Sequence, residues 1–287
     1  MLDQLQDNEE IDAEVPGSEK EMSFIDHLEE LRWHIVRSVA SILVFSLLSF
    51  IFMDFIFNTL ILGPKKPDFW TYRMLCRLAD YVHYKDLCVE KLDFILISRD
   101  LQTQFTTSIT LAFVIGVVCA FPYTFWEIWR FVKPGLHYTE KRATNGATFF
   151  VSLLFALGIL FGYYVVTPLV INFLANYKLD PSIANQIDVG SYMATIATLT
   201  LACGIMFQLP MVALVLSKAG VITPQFLKTY RRHAFVVILI VAALITPSPD
   251  VMSQIIVALP LVLLYEVSIL VSANVWRKRR KEELANG

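Results

Sequence analysis

Six apolar runs punctuate the chain, separated by polar segments of very unequal length. The first begins near Ile35 and extends to about residue 57. A charged stretch, residues 23–32, enters it with no Pro or Gly between. Ile25, Leu28, Leu31 and Ile35 recur at helical spacing and give that stretch one apolar face. Ser23 is placed to cap the first turn, with Asp26 three residues on as a short version of the capping-box acid. Asp26, Glu29 and Glu30 fall where a helix dipole favours negative charge. A continuous helix over residues 24–57 would be about 50 Å long. A hydrocarbon core is about 30 Å thick, so a turn or more projects into water.

Further apolar runs cover about residues 105–128, 146–167, 192–216 and 233–246, and a last one starts near Val251. Pro168 is expected to end the third. The fifth has only residues 233–246 before Pro247-Ser-Pro-Asp250, and such a helix reaches about 21 Å. The sixth carries Glu266, and its strictly apolar part, residues 255–265, is also short. The pattern therefore predicts an all-α integral membrane protein with six transmembrane helices, the last two short. Two short neighbours are expected to thin the bilayer locally or to sit shielded by protein. Between the runs, residues 58–100 form a long mixed loop broken early by Pro64 and Pro67, with residues 69–84 suited to a helix. Thr223-Pro224 reads as a helix start in the basic connection 218–232. No internal repeat is visible, which disfavours an inverted-repeat transporter.

Composition agrees. The 287 residues are 56% hydrophobic with a mean hydropathy of +0.56, too apolar for an ordinary soluble domain. Charge is uneven. Residues 1–22 carry eight acidic side chains and one Lys, unlike a signal or transit peptide, and read as a disordered soluble tail. Residues 23–275 form the membrane domain, and residues 276–287 a basic tail opening on Trp276-Arg-Lys-Arg-Arg-Lys281. Six spans put both termini on one side. That side carries sixteen Lys and Arg against eight opposite, seven of those eight in the long loop. Short connections decide topology, so both termini are expected in the cytoplasm. The basic tail reads as a topology anchor, with lipid headgroups or a partner as its other use.

No motif of a hydrolase, zinc protease, nucleotide-binding loop or dinucleotide fold occurs, so no catalytic activity and no cofactor are expected. His27 and Glu30 share a helix face, but one such pair is not a metal or catalytic signature. Cys119 and Cys203 lie in apolar runs as packing residues. Cys76 and Cys88 share one loop, and they could pair if it faces an oxidising compartment. Metal-ligand spacing is absent. Glu30 and Glu140 lie on separate segments of the cytoplasmic side, and each offers a carboxylate suited to a bidentate guanidinium. Their structural alternative is solvation, or pairing with Arg32 and Arg142. Gln208, in Gly204-Ile-Met-Phe-Gln-Leu-Pro210, needs a partner at mid-depth, within its own bundle or on another membrane helix. Glu266 is costly to bury, and a paired or functional role is the default.

Four stretches resemble the TatC family, the multi-span receptor subunit of the twin-arginine protein translocase. They are Phe24-Ile-Asp-His-Leu-Glu-Glu-Leu-Arg32; Phe121-Pro122 with Trp129-Arg-Phe-Val-Lys-Pro-Gly-Leu-His-Tyr-Thr-Glu-Lys-Arg142; Phe207-Gln-Leu-Pro210; and Leu244-Ile-Thr-Pro-Ser-Pro-Asp-Val-Met-Ser-Gln254. They stand in family order from residue 23 to about 275. The resemblance implies recognition of twin-arginine signal peptides of folded cargo at the cytoplasmic face of a bacterial inner membrane. It implies TatA- and TatB-type single-span partners, oligomeric assembly, contact with membrane lipids and use of the proton-motive force. By position, Glu30 and Glu140 match the acids that engage the signal arginines. Arg32 lies in the first motif, and Phe131, Pro134, Leu136, Lys141 and Arg142 lie in the matched loop. Gln208 matches a buried polar position that contacts partner helices. The family often has Glu there; Gln hydrogen-bonds but does not titrate. A secondary transporter of a small solute, using Gln208 and Glu266, is the competing reading from another class. A structural scaffold that binds no peptide is a third.

Overall fold

The first apolar run forms α1 (Phe24–Ile51), which lies along α4 (Thr103–Val132) in the most extensive helix pairing of the molecule. The computed structural model describes residues 24–83, 88, 92, 94–132, 147–177, 180, 185–246 and 251–286. The acidic tail, the Ser23 cap and the turn at 247–250 lie outside the described residues. The remaining helices are α2 (Met53–Ile56), α3 (Trp70–Val82), α5 (Ala147–Phe161), α6 (Thr167–Asn176), α7 (Val189–Met206), α8 (Leu209–Lys218), α9 (Pro224–Thr229), α10 (Arg231–Ile245) and α11 (Val251–Asn286). Among the described residues, five stretches are long and apolar enough to cross a bilayer: Glu29–Ile51, Thr103–Phe131, Thr148–Asn176, Val189–Lys218 and Ser253–Lys281. Their outward faces are apolar, as Leu43, Leu47 and Ile51 of α1 show. This is a helical, multi-pass membrane protein.

The first span is shorter than its hydrophobic pattern predicts. The backbone breaks at Phe52, passes through α2, and closes in a wide turn over Phe57–Ile61. Carbonyls at a helix end have no partner of their own. Here two tyrosines supply one: Tyr163 Oη donates to Leu60 O at 2.7 Å, and Tyr192 Oη to Ile61 O at 3.0 Å. Tyr72 of α3 donates to Pro64 O at 2.9 Å and to Pro168 O at 3.1 Å, and burial pushes its phenol pKa well up. These bonds tie the helical part of the long loop to the membrane body.

Pro168 does not end the third span. A wide turn, Gly162–Val166, precedes it, and Pro168 then occupies the first turn of α6, where a missing N–H costs nothing. The fourth run divides into α7 and α8 at Phe207–Gln208, with Pro210 in the first turn of α8. The last run is not short. Its apolar part continues into α11, 36 residues long, because the basic tail is built of good helix formers. Of the last two runs only the fifth is short, with α10 at 15 residues. The Thr223-Pro224 start stands as expected: Phe226 N donates to Thr223 Oγ1 at 3.1 Å.

A two-stranded parallel ladder, unforeseen in the all-α expectation, joins the two loops at the other end of the bundle. β1 (Phe94–Ile97) pairs with β2 (Asn185–Asp188), Phe94 opposite Asn185 and Ile97 opposite Asp188. The Phe-Ile-Leu-Ile run suits a strand, but its partner is 91 positions away, so local pattern could not find it. Asp188 then caps α7, accepting from Ser191 N at 3.2 Å. One core cluster, including Ile56, Phe94, Leu111, Ile171 and Tyr192, packs the ladder onto the spans. A second, including Val170, Leu199, Ile238, Ala242 and Leu261, joins α6 and α7 to α10 and α11.

Candidate functional site

α1 and α4 run together because small groups meet at their crossing. A Cβ on Gly116 would lie 2.7 Å from the backbone nitrogen of Ser46. That approach brings the first turns of α1 against the last turns of α4, and a polar cluster sits between them.

Its centre is Glu127, only 1% exposed. A carboxylate so buried must be hydrogen-bonded on both oxygens. Oε2 lies 2.5 Å from His34 Nδ1. Oε1 accepts from Tyr123 Oη at 2.9 Å. Tyr123 and Glu127 share a face of α4 one turn apart, and His34 projects from α1 to meet them. His34 is itself buried, and its ring lies 6.0 Å from that of Phe131. Its other nitrogen, Nε2, stands 3.9 Å from Glu30 Oε1, one turn back on α1. Glu30 is about half-exposed and opens onto a cavity of ≈ 400 Å³ lined by Glu30, Trp33, His34, Arg37 and Arg130. Arg130 lies over the Trp126 ring at 5.6 Å, and Arg32 over Trp33 at 5.7 Å. Aromatic rings and cations grouped this way mark a water–lipid boundary. Beside the guanidinium groups of Arg37 and Arg130, the cavity offers a carboxylate, an imidazole and an indole.

The structure brings together Glu30 and Phe131 through His34, and leaves Arg32 on Trp33 outside the cavity wall. Pro134, Leu136, Glu140, Lys141 and Arg142 lie outside the described residues. The described part of α4 runs to Val132, two residues beyond Arg130 of the cavity wall. Neither His34 nor Glu127 stands out in a motif analysis centred on His27 and Glu30. Both had a signal: His34 follows Glu30 by one helical turn, and Glu127 is an acid inside an otherwise apolar span.

The other candidates lie elsewhere. Gln208 Nε2 donates to Val151 O of α5 at 3.2 Å, a bond within its own bundle, and the side chain is only partly buried. Glu266 Oε2 accepts from Arg231 Nη2 at 2.7 Å, at the start of α10, with both side chains half-exposed. Cys76 and Cys88 are joined by a disulfide that ties the middle of α3 to the loop after it. Among the described residues, no three His, Cys, Asp or Glu side chains come together as metal ligands. Gln208 and Glu266 each have their own partner, and no bond joins them into one polar site.

Residues 26–260 match the family described as Sec-independent protein translocase protein (TatC). The chain is 35% identical over 265 residues to the Sec-independent protein translocase protein TatC of Blattabacterium sp. subsp. Periplaneta americana, covering 92% of this chain and 99% of that one. To the TatC of Aquifex aeolicus it is 32% identical over 265 residues, covering 92% and 100%. It also resembles a crystal structure of the twin arginine translocase receptor TatC, with a TM-score of 0.66 and 30% identity, covering 87% of this chain and 99% of that one.

Proposed function

This chain belongs to the TatC family of Sec-independent protein translocase proteins, and from that premise we propose that it is the core receptor for twin-arginine signal peptides. A translocase component of this kind carries and admits cargo; it is not an enzyme. The carrying observation is the half-exposed carboxylate of Glu30 on the wall of a cavity at the α1–α4 junction. Glu140, on the connection leaving α4, supplies the second acid. Two guanidinium groups on an extended peptide need two such acceptors, and a carboxylate takes the Arg fork in two parallel bonds. Phe131, Pro134, Leu136, Lys141 and Arg142 shape the surface between the acids, and Arg32 flanks it.

The proposed topology has six spans with both termini in the cytoplasm of a bacterial inner membrane. It counts α10 as a crossing although it is only about 22 Å long. The acidic tail 1–22 and the basic tail 276–287 then flank the membrane domain on the same side. Gln208, at the α7–α8 break, meets single-span TatA- and TatB-type partners in a hetero-oligomer that uses the proton-motive force. Because Gln does not titrate, any protonation step belongs to another group.

Site-specific crosslinking of a twin-arginine peptide, placed across residues 24–37 and 129–142, tests the reading. Crosslinks should cluster on these two segments and fade with Glu30→Gln and Glu140→Gln. Undiminished crosslinking in both variants would remove the site assignment.

A further inference from the structure

His34 is held from one side only. Its Nδ1 lies 2.5 Å from Glu127 Oε2, and an ionised carboxylate only accepts, so Nδ1 carries the proton. In a neutral imidazole the lone pair then sits on Nε2. That nitrogen is 3.9 Å from Glu30 Oε1, beyond direct hydrogen-bond reach, and both atoms belong to residues lining the same cavity. Two acceptors 3.9 Å apart on one cavity wall form a cradle that one planar donor group can bridge.

The geometry points to His34 as a second ligand of a signal-peptide guanidinium: Nε2 and the Glu30 carboxylate each accept an N–H of one guanidinium, while Glu127 and Tyr123 act as positioning residues that hold the ring in its Nδ1–H form. The inference deepens the twin-arginine reading above and rests on it. Charge alone cannot make this site select arginine. Glu30 and Glu127 carry two negative charges, and Arg37 and Arg130, which face the same cluster from α1 and α4, carry two positive ones. With a neutral ring the four cancel. Recognition then falls to hydrogen-bond geometry, where a planar fork of five donors outdoes a compact ammonium. Trp33, on the same wall, already carries the Arg32 guanidinium over its ring at 5.7 Å, the kind of contact this ring makes with a guanidinium.

Two substitutions separate a ligand from a clamp. In His34→Gln the amide reaches the place of Nε2. In His34→Asn it reaches only the place of Nδ1, so the tie to Glu127 survives without the acceptor in the cavity. Full-length protein in nanodiscs is titrated with a labelled twin-arginine peptide and with its twin-lysine counterpart. His34→Gln should bind the arginine peptide within about threefold of wild type, and His34→Asn should weaken it about tenfold, the scale of one bond to a charged group. The lysine peptide should change less than twofold in either. Arginine-peptide binding by His34→Asn within threefold of wild type, or equal losses in the two variants, overturns the inference.

Glu127→Gln gives a second, independent reading. Its amide N–H can donate to Nδ1 and move the ring proton to Nε2, turning the cavity acceptor into a donor. Arginine-peptide binding should fall at least threefold with the thermal midpoint retained; unchanged binding overturns the positioning role. Glu30→Gln is measured alongside. If it weakens binding while His34→Asn does not, only the cradle fails. If Glu30→Gln is also without effect, the receptor site itself is misplaced.

Discussion

Gly116 of α4 lies against the backbone of Ser46 on α1, so close that a Cβ at position 116 would come within 2.7 Å of the Ser46 nitrogen and 2.8 Å of its Cα. Neither of those atoms can swing aside as a side-chain tip can. This crossing sets the spacing of the two helices and, some three turns away, lets His34 reach Glu127. Gly116→Ala should therefore force α1 and α4 apart and cost about 1–3 kcal/mol, as overpacking does. Thermal unfolding in detergent should show the lower midpoint, and twin-arginine peptide binding should weaken with it. An unchanged midpoint would mean that the crossing is looser than its geometry indicates.

Glu30 is half-exposed and stands 3.9 Å from His34 Nε2, beyond hydrogen-bond reach, whereas Glu127 is buried and satisfied on both oxygens. The two acids should therefore respond differently to losing their hydrogen-bonding carboxylates. Glu30→Gln should leave the thermal midpoint near wild type and weaken twin-arginine peptide binding by about tenfold, the loss of a charge-assisted bond. Glu127→Leu should lower stability by about 3 kcal/mol or more, because it strands the buried His34 and removes the acceptor of Tyr123 Oη. Paired melting and peptide-titration curves check both.

Arg231 and Glu266 join α10 to α11 at 2.7 Å with both side chains half-exposed. Half-exposed pairs are screened, and Arg231→Ala should cost no more than about 1 kcal/mol. A double-mutant cycle with Glu266→Gln measures the coupling. A coupling well above that value would mean that lipid, rather than water, surrounds the pair.

α10 has 15 residues, and its axial length falls short of a bilayer core by about 8 Å. Beside it α11 is long, so any thinning of the membrane centres on α10 alone. Spin labels at the two ends of α10 should report a shallower depth range than labels along α4. A full-thickness range for α10 would rule out local thinning.

Cys76, midway along α3, and Cys88, 12 positions on, close a small loop. Cutting so small a loop should cost about 2–3 kcal/mol of local stability in the chain-entropy account. Cys76→Ser with Cys88→Ser should raise amide exchange in α3. It should leave twin-arginine peptide binding unchanged, because the disulfide and the α1–α4 cavity lie in different parts of the chain. A loss of binding would show that the loop and the cavity are coupled.

Much was legible along the chain. Apolar runs marked the places of the five long membrane-crossing stretches, though not their ends, since a helix in lipid satisfies its own backbone and needs no distant partner. Thr223 announced its helix start through a bond made three residues away. Glu30 was visible as a carboxylate at the mouth of a span. What depended on distance was not. The parallel ladder of β1 and β2, the tyrosines that close the turn at Leu60 and Ile61, and the Arg231–Glu266 tie all join segments far apart in sequence. The proline after Val166 read as a stop because only the preceding wide turn makes room for it. Above all, His34 and Glu127 stand 93 positions apart, and nothing in either neighbourhood names the other. Sequence determined that acids and aromatic residues would gather at the membrane boundary, because hydropathy is a property of each segment alone. Only the close crossing of α1 and α4 decided which acid would be buried and bonded and which left open to a ligand, because burial and pairing belong to two helices at once.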